Sequence, residues 1–259
     1  MACKSMNYYN EFDKNAAIWL RALIAEKLIP NGIVDERSII DIKPNELAGF
    51  TQCHFFAGIG GWPLALSLVG WPESKPIWTG SCPCQPFSTG SANRIGRDDP
   101  RHLWPVFAKL IRELHPDYIA GEQVDDAIRE GWLDEVFADL EMEGYACGAA
   151  VLPARAYGAE HWRDRLFWLA DSGGKGLEGF EAFGGGFRGF GGKALAELGD
   201  PLACARGILA GDCSALPALD GLPADVVRCV IKGAGNAIVP EVAAEFLTAF
   251  IETKNEQYA

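Results

Sequence analysis

The sequence lacks an excess of positive charge. Its 259 residues hold 23 lysines and arginines against 35 aspartates and glutamates, so the formal net charge is −12. This balance argues against wide, non-specific binding to nucleic acid, which depends on lysine and arginine contacts to phosphates. A local basic cleft is still compatible with it, because arginines cluster in two short segments: Arg94, Arg97 and Arg101, then Arg155, Arg163 and Arg165.

Long apolar runs are also missing. The first residues, MACKSMNYYNEFDKN, contain no apolar signal core, and no stretch is long and apolar enough to span a membrane. We therefore expect a cytoplasmic protein whose eight cysteines are reduced and mostly buried. With 49% hydrophobic and 22% charged residues, the composition is that of an ordinary globular protein. The length suits one sizeable domain, or a large domain with a small lobe.

Strand-like and helix-like segments alternate along the chain, which predicts an α/β fold with a mostly parallel sheet. Helices are expected over 13–27, 102–114 and 131–144, in PLALSLVG, and after the loop that opens GAGNAIVPEVAAEFLTAFIE. Strands are expected over 38–42, 52–58, 75–80, 117–124 and in two later segments, ACGAAVLPA and RLFWLAD.

A glycine-rich segment, FFAGIGGW at 55–62, lies between a predicted strand and a predicted helix. Gly58, Gly60 and Gly61 would let the backbone turn tightly and approach a ligand closely. The helix N-terminus behind them would favour a negatively charged group. In an α/β sheet such a turn usually marks the cofactor crevice, although a purely structural turn is the alternative.

The segment GSCPCQPFS at 80–88 has three interpretations. A zinc site is disfavoured because no second cysteine or histidine pair stands at suitable spacing, so no metal is expected. A structural turn with buried thiols is possible on composition. The third interpretation is a nucleophilic cysteine on a loop stiffened by prolines, which would attack an electron-poor carbon with help from a group that handles protons.

Five motifs stand in a fixed order: FAGIGG, PCQPFS, a strand ending in GEQV, HWRDR, and GNAIVP. In this order they resemble the DNA cytosine-5 methyltransferase family. The resemblance covers most of the chain and implies a Rossmann-like methyltransferase fold. Compact size and a short recognition region are similar to phage or prophage members.

The resemblance implies four catalytic residues. Cys84 would be the nucleophile that adds to C6 of a flipped-out cytosine, and Glu122 would hold or protonate cytosine N3. Arg163 and Arg165 would hold the base and a neighbouring phosphate. The implied substrate is double-stranded DNA, and the implied methyl donor is S-adenosylmethionine.

The resemblance also implies two sets of contacts. Residues expected to touch DNA are Gln85, Ser88, Arg94, Arg97, Gln123 and His161. Those expected to line the cofactor pocket are Phe56, Ala57, Gly58, Gly60, Gly61, Glu11, Phe12, Ser38, Ile39, Asp41, Pro83, Asn236 and Ala237. Two of the DNA set depart from the family pattern, since Gln123 replaces an asparagine and His161 replaces a glutamine.

The segment between the glycine loop and PCQ is too short for the family's usual order. The missing part is similar to YYNEFDKNAAIWLRALI and VDERSIIDIKPNEL, which lie in front at 8–24 and 34–47. We therefore predict a circular permutation, in which Glu11 ends a strand and binds the cofactor ribose. The alternative is that residues 1–50 form an unrelated cap.

The expected organisation is a catalytic domain at 1–170, a small glycine-rich target-recognition lobe at 171–230, and a C-terminal loop and helix at 231–259 that return to the catalytic domain. A monomer is expected. The expected activity is DNA cytosine-5 methylation through a covalent Cys84 adduct. The alternatives are an RNA cytosine-5 methyltransferase and a non-catalytic DNA-binding relative.

Overall fold

A computed structural model describes residues 6–83, 102–153, 164–173 and 238–257. Within them one seven-stranded sheet has the order β2-β1-β3-β4-β5-β7-β6. The first five of these strands run parallel, and β7 runs antiparallel to both of its neighbours. The prediction of a mostly parallel α/β sheet is confirmed. The strands are β1 Asn7–Asn10, β2 Gly32–Asp35, β3 Gln52–Phe55, β4 Ile77–Gly80, β5 Tyr118–Val124, β6 Ala146–Pro153 and β7 Asp164–Asp171.

Seven α-helices and one 3-10 helix are present among the described residues. The first, predicted over 13–27, begins after Asp13, whose carboxylate accepts hydrogen bonds from the N–H groups of Asn15 and Ala16. The seven α-helices are α1 Lys14–Ala25, α2 Pro44–Leu47, α3 Gly61–Leu68, α4 Trp104–Leu114, α5 Asp126–Arg129, α6 Trp132–Met142 and α7 Pro240–Gln257. No helix within the described ranges has both the length and the apolar character needed to cross a membrane.

The prediction of a strand over 38–42 is wrong. The strand lies earlier, at Gly32–Asp35, and Ile39–Asp41 form a 3-10 helix. Of the three isoleucines that suggested a strand, Ile39 and Ile42 are buried instead in the core cluster that contains residues of α4, and Ile40 is exposed.

Asn10 shows why the chain leaves the sheet after β2. Its side-chain amide donates to the backbone carbonyls of Asp35 and Arg37, at 3.2 and 2.8 Å. These bonds hold the chain at the end of β1 and turn it out of line with the sheet. At Arg37 the backbone carbonyl therefore pairs with a side chain and not with a neighbouring strand.

The core has two layers, one on each face of the sheet. One layer packs α4 and α6 against the sheet, with Phe55, Trp78, Phe107 and Trp168 among its largest members. The other packs α3 and α7 against the opposite face. Because α7 belongs to the second layer, the last described helix lies against the same sheet as the N-terminal strands.

Candidate active site

The predicted site residues that are described lie at one edge of the sheet. β1, β3 and β4 end at this edge, where Glu11, Phe56 and Ser81 follow them. The start of β7 reaches the same edge, since Arg165 pairs with Val124 at the end of β5. The carboxyl ends of parallel strands in open α/β sheets are where ligands bind.

The glycine loop after β3 has a left-handed backbone at three of its residues. Phe56 has φ 51°, Gly58 φ 55° and Gly60 φ 90°. Glycine adopts such values without strain, but a phenylalanine does so only when its surroundings impose it. Strained residues of this kind concentrate at ligand sites. The geometry therefore favours the interpretation of a ligand-binding turn.

Glu11 contacts the glycine loop directly. Its carboxylate accepts from the Gly58 N–H at 2.7 Å and from the Asp13 N–H at 2.8 Å. Burial raises the pKa of Glu11, while hydrogen bonds from backbone N–H groups act in the opposite direction. The residue predicted to bind the cofactor ribose thus lies within hydrogen-bond reach of the predicted cofactor loop.

Helix α1 holds the same loop from behind. The Trp19 indole N–H donates to the Ile59 carbonyl at 3.2 Å. A Cβ built on Gly60 would lie 3.1 Å from Leu23 and 3.5 Å from Leu20. The N-terminal segment is therefore not an unrelated cap, because its strands join the central sheet and its helix shapes the glycine loop.

Apolar side chains stand open to solvent near this edge. Phe12 follows Glu11 and is 72% exposed, and Ile40 is 63% exposed. Of the residues expected around adenine, Ile39 is buried in the core, Asp41 is exposed, and the Ser38 hydroxyl accepts from the Ile40 N–H. The resemblance named Ile39, whereas Ile40 is the isoleucine of this segment that is open to solvent.

An ion pair joins β5 and β7. Arg165 Nε lies 2.9 Å from Glu122 Oε1, and an Arg165 terminal nitrogen donates to the Asp164 carbonyl at 2.8 Å. Glu122 is 8% exposed. Because Arg165 is directly opposite Val124, its side chain points to the same face as Glu122, two residues earlier. Two of the four predicted catalytic residues are therefore in contact.

Gln123 lies in the interior. It is 3% exposed, its amide donates to the Cys82 carbonyl at 3.2 Å, and its oxygen accepts from the Val124 N–H at 3.0 Å. Sequence reasoning placed Gln123 at the DNA. A direct contact with DNA would require these bonds to break. Its described partners connect the strand of Glu122 to the start of the PCQ loop.

Cys82, two residues before the predicted nucleophile Cys84, is unsuited to act as a nucleophile. Cys82 is buried in the core, and burial raises its pKa strongly. A thiol that stays protonated at neutral pH is a poor nucleophile, which agrees with assigning the attack to Cys84 and not to Cys82. Pro83, predicted beside the cofactor, is half-buried and ends the described part of this loop.

Several predicted residues lie outside the described ranges, and their roles remain predictions: Cys84, Gln85, Ser88, Arg94, Arg97, His161, Arg163, Asn236 and Ala237. The chain returns to the site right after Ala237. A Cβ on Gly61 would lie 2.2 Å from the Ile238 side chain, so Ile238 packs directly against the start of α3.

This chain is similar to known methyltransferases. Residues 72–178 match the family model for C-5 cytosine-specific DNA methylase. Type II methyltransferase M.AplI of Arthrospira platensis is 32% identical over 93 residues, which are 35% of this chain and 27% of that protein. Type II methyltransferase M.NgoMIV of Neisseria gonorrhoeae is 25% identical over 161 residues, 47% of this chain and 51% of that protein. The matches thus span about a quarter to a half of these relatives.

A solved structure supports the fold over a longer range. The S. pombe Dnmt2 methyltransferase aligns with 96% of this chain and 99% of its own, with a TM-score of 0.52 and 13% identity. The fold is accordingly the Rossmann-like fold of methyltransferases, as predicted. The sequence similarity to C-5 cytosine-specific DNA methylases concerns residues 72–178, less than half of the chain, and the likeness of fold extends beyond them.

Proposed function

We propose that this protein is a DNA cytosine-5 methyltransferase that uses S-adenosylmethionine and a covalent Cys84 adduct. The observation that carries the proposal is the contact between Glu122 and Arg165 at the edge of the sheet where the chain enters the PCQ loop. The type II methyltransferase relatives and the family match support it.

Three features fit the cofactor. The strained Phe56 and the left-handed Gly58 and Gly60 form a turn whose backbone a ligand can approach closely. Glu11 presents a carboxylate at a strand end, where an acid commonly binds ribose hydroxyls. Exposed Phe12 and Ile40 provide apolar surface for adenine. Asn236 and Ala237 would close the pocket from the C-terminal side, since the next residue, Ile238, packs on Gly61.

The chemistry assigns a role to each catalytic residue. The Cys84 thiolate adds to C6 of cytosine, Glu122 protonates or holds N3, and C5 thereby gains the character of an enamine carbon. The bound cofactor supplies an electrophilic methyl group to that carbon. Loss of the C5 proton and elimination of the Cys84 sulfur then release 5-methylcytosine. Arg165 fixes the Glu122 carboxylate, and with Arg163 it would hold the base and a phosphate.

The reacting carbon of cytosine lies within the base stack of duplex DNA, so the proposal includes flipping of the cytosine out of the duplex. Arg94, Arg97 and His161 would contact the strand. The proposed organisation is a permuted catalytic domain at 1–170, a recognition lobe at 171–230 and a returning helix at 231–259. β7 continues to Asp171, one residue beyond the proposed boundary. A cytoplasmic monomer acting on double-stranded DNA completes the proposal.

The permutation is supported by the sheet order. β1 and β2 come first in the chain, but both lie on one side of β3, with β1 next to β3 and β2 at the edge of the sheet. β4 lies on the other side of β3. We assign the first two strands to the family's second and third sheet positions. Glu11, at the end of β1, then occupies the position expected for the ribose-binding acid.

The test is a covalent trap. Duplex DNA containing 5-fluorocytosine, incubated with the protein and S-adenosylmethionine, should give a denaturation-resistant adduct that peptide mapping assigns to Cys84. Cys84→Ala should abolish the adduct, and the matched variant Cys82→Ala should keep it. If no adduct forms with DNA but competing RNA is methylated, the substrate is RNA and not DNA. Absence of both would favour a non-catalytic relative. Bisulfite sequencing of plasmid from expressing cells would then give the target context.

A further inference from the structure

The described start of the PCQ loop is held from both faces of the sheet. Ser81 and Cys82 follow β4 directly and precede Cys84 by two or three residues. On one face, the Trp62 indole N–H donates to the Ser81 hydroxyl at 3.1 Å. On the other, the Gln123 amide donates to the Cys82 carbonyl at 3.2 Å.

The two donors come from the two halves of the proposed site. Trp62 is the second residue of α3, immediately after the glycine loop, and it packs edge-on against Phe167 in the layer that includes α7. Gln123 follows Glu122 in β5. The start of the loop is therefore tied to the helix after the glycine loop by one bond and to the strand that carries Glu122 by the other.

Both donors are rigid. Trp62 is 3% exposed and Gln123 equally so, and the Gln123 oxygen is fixed by the Val124 N–H. A buried donor that loses its acceptor keeps its desolvation cost, so each bond is maintained by the penalty for breaking it. Side chains locked in this way can fix a neighbouring backbone to within fractions of an ångström.

From this arrangement we infer that Trp62 and Gln123 are positioning residues for the nucleophile, acting through Ser81 and Cys82. They set the direction in which the loop leaves the sheet, and so the distance of the Cys84 sulfur from both the glycine loop and Glu122. The inference rests on the proposed function for the role of Cys84. The bonds themselves involve only described residues.

The closing experiment compares variants that remove one bond each. Ser81→Ala deletes the acceptor of Trp62, and the matched control Ser81→Thr keeps a hydroxyl. Gln123→Met keeps the length and volume of the side chain but removes its donor and acceptor. Each is measured for cofactor affinity, for the single-turnover rate of 5-fluorocytosine adduct formation, and for the rate at which iodoacetamide alkylates Cys84, mapped peptide by peptide with buried Cys53 as reference.

We expect adduct formation to slow by about tenfold in Ser81→Ala and Gln123→Met, because small misplacements of a reacting group are costly. Cofactor affinity should stay within about twofold, since neither side chain belongs to the glycine loop, and Ser81→Thr should react like the wild type. Cys84 alkylation should change by about threefold or more in the two deleting variants, because thiol reactivity follows exposure and thiolate fraction.

The outcomes separate the two proposals. A wild-type protein that forms no adduct overturns the proposed function, and the alkylation rates then decide the inference alone. Adduct and alkylation rates that are unchanged in both deleting variants overturn the inference while the proposed function stands. Equal loss of cofactor affinity and adduct rate would also overturn it, because a general structural defect would explain both.

Discussion

The two sides of the candidate site are built from different interactions. On the glycine-loop side, the contacts that define the site are between side chains and backbone: Glu11 to Gly58, and Trp19 to Ile59. On the other side, two charged side chains, Glu122 and Arg165, meet across antiparallel strands. A loop shaped through its backbone can accept a ligand of fixed shape, whereas a charged pair can hold or move protons. The difference fits the proposed division between cofactor binding and chemistry.

The largest effect should come from the charged side. Glu122→Gln keeps the shape of the side chain but removes the carboxylate that faces Arg165. We expect methylation turnover to fall by about 10²–10⁴-fold, the usual range for loss of an acid–base group. Cofactor affinity should be retained. The control is Glu113→Gln, which changes an exposed glutamate on α4. Equal turnover in both variants would remove Glu122 from the chemistry.

A change on the glycine-loop side should alter cofactor affinity instead of turnover. We expect Glu11→Gln to weaken S-adenosylmethionine binding by about 100-fold in calorimetry, because a charged acceptor is replaced by a neutral one. The same variant should, by contrast, unfold less readily than the wild type as the pH rises. The folded-state pKa of Glu11 is raised, so its ionisation costs stability as the pH rises above its ordinary value of 4.5, and the variant is free of that loss.

Urea unfolding of wild type and Glu11→Gln between pH 4 and pH 8 checks this sign. The difference in unfolding free energy should shift in favour of the variant as the pH rises. A constant difference across this range, or unchanged cofactor affinity, would mean that Glu11 is only a structural support of the loop.

A third effect tests the sheet beneath the glycine loop. His54 in β3 is completely buried, lies 2.8 Å from the Thr79 hydroxyl and stacks on Tyr9. Burial lowers its pKa from 6.5 to about 3. Its contribution to stability is therefore present above pH 6.5 and lost as the pH falls towards 3. At pH 5 the loss should be about 2 kcal/mol relative to pH 7.

The measurement is denaturant unfolding of the wild type and His54→Gln at pH 7 and pH 5, because glutamine does not titrate. The other ionisable groups contribute to both proteins and cancel in the difference. If both proteins lose the same free energy between the two pH values, His54 is not the titrating group.

The smallest expected effect separates strain from packing in the glycine loop. Gly60→Ala and Gly49→Ala both place a side chain at positive φ, 90° and 96°. Each should cost about 1 kcal/mol or more for the strained backbone. A Cβ at Gly49 meets nothing within 4 Å, whereas one at Gly60 meets Leu23 of α1 at 3.1 Å. Gly60→Ala should therefore unfold at lower urea. Equal urea midpoints for the two variants would show that α1 accommodates the added methyl group without loss of stability.

The sequence was informative where the pattern is local. The helix after Asp13, the strand that ends in GEQV and the glycine turn were each predicted at close to their observed bounds. Each depends on residues that are near one another in the chain, such as a cap, an alternation or a run of glycines. Strand β2 was placed a few residues late because Ile39 and Ile42 are apolar for burial under α4, which the sequence alone does not distinguish from a strand.

The sequence by itself determined the order of the motifs, and with it the family resemblance and the identity of the residues that carry the proposed chemistry. Only the tertiary structure decided which of these residues meet. It brought Glu11 into a hydrogen bond with Gly58, which is 47 positions away in the sequence, and Glu122 into contact with Arg165. It also turned the Gln123 amide towards the Cys82 carbonyl. The reason is physical: motif chemistry is a property of residue type and spacing, whereas contact depends on strand order and on the face to which each side chain points.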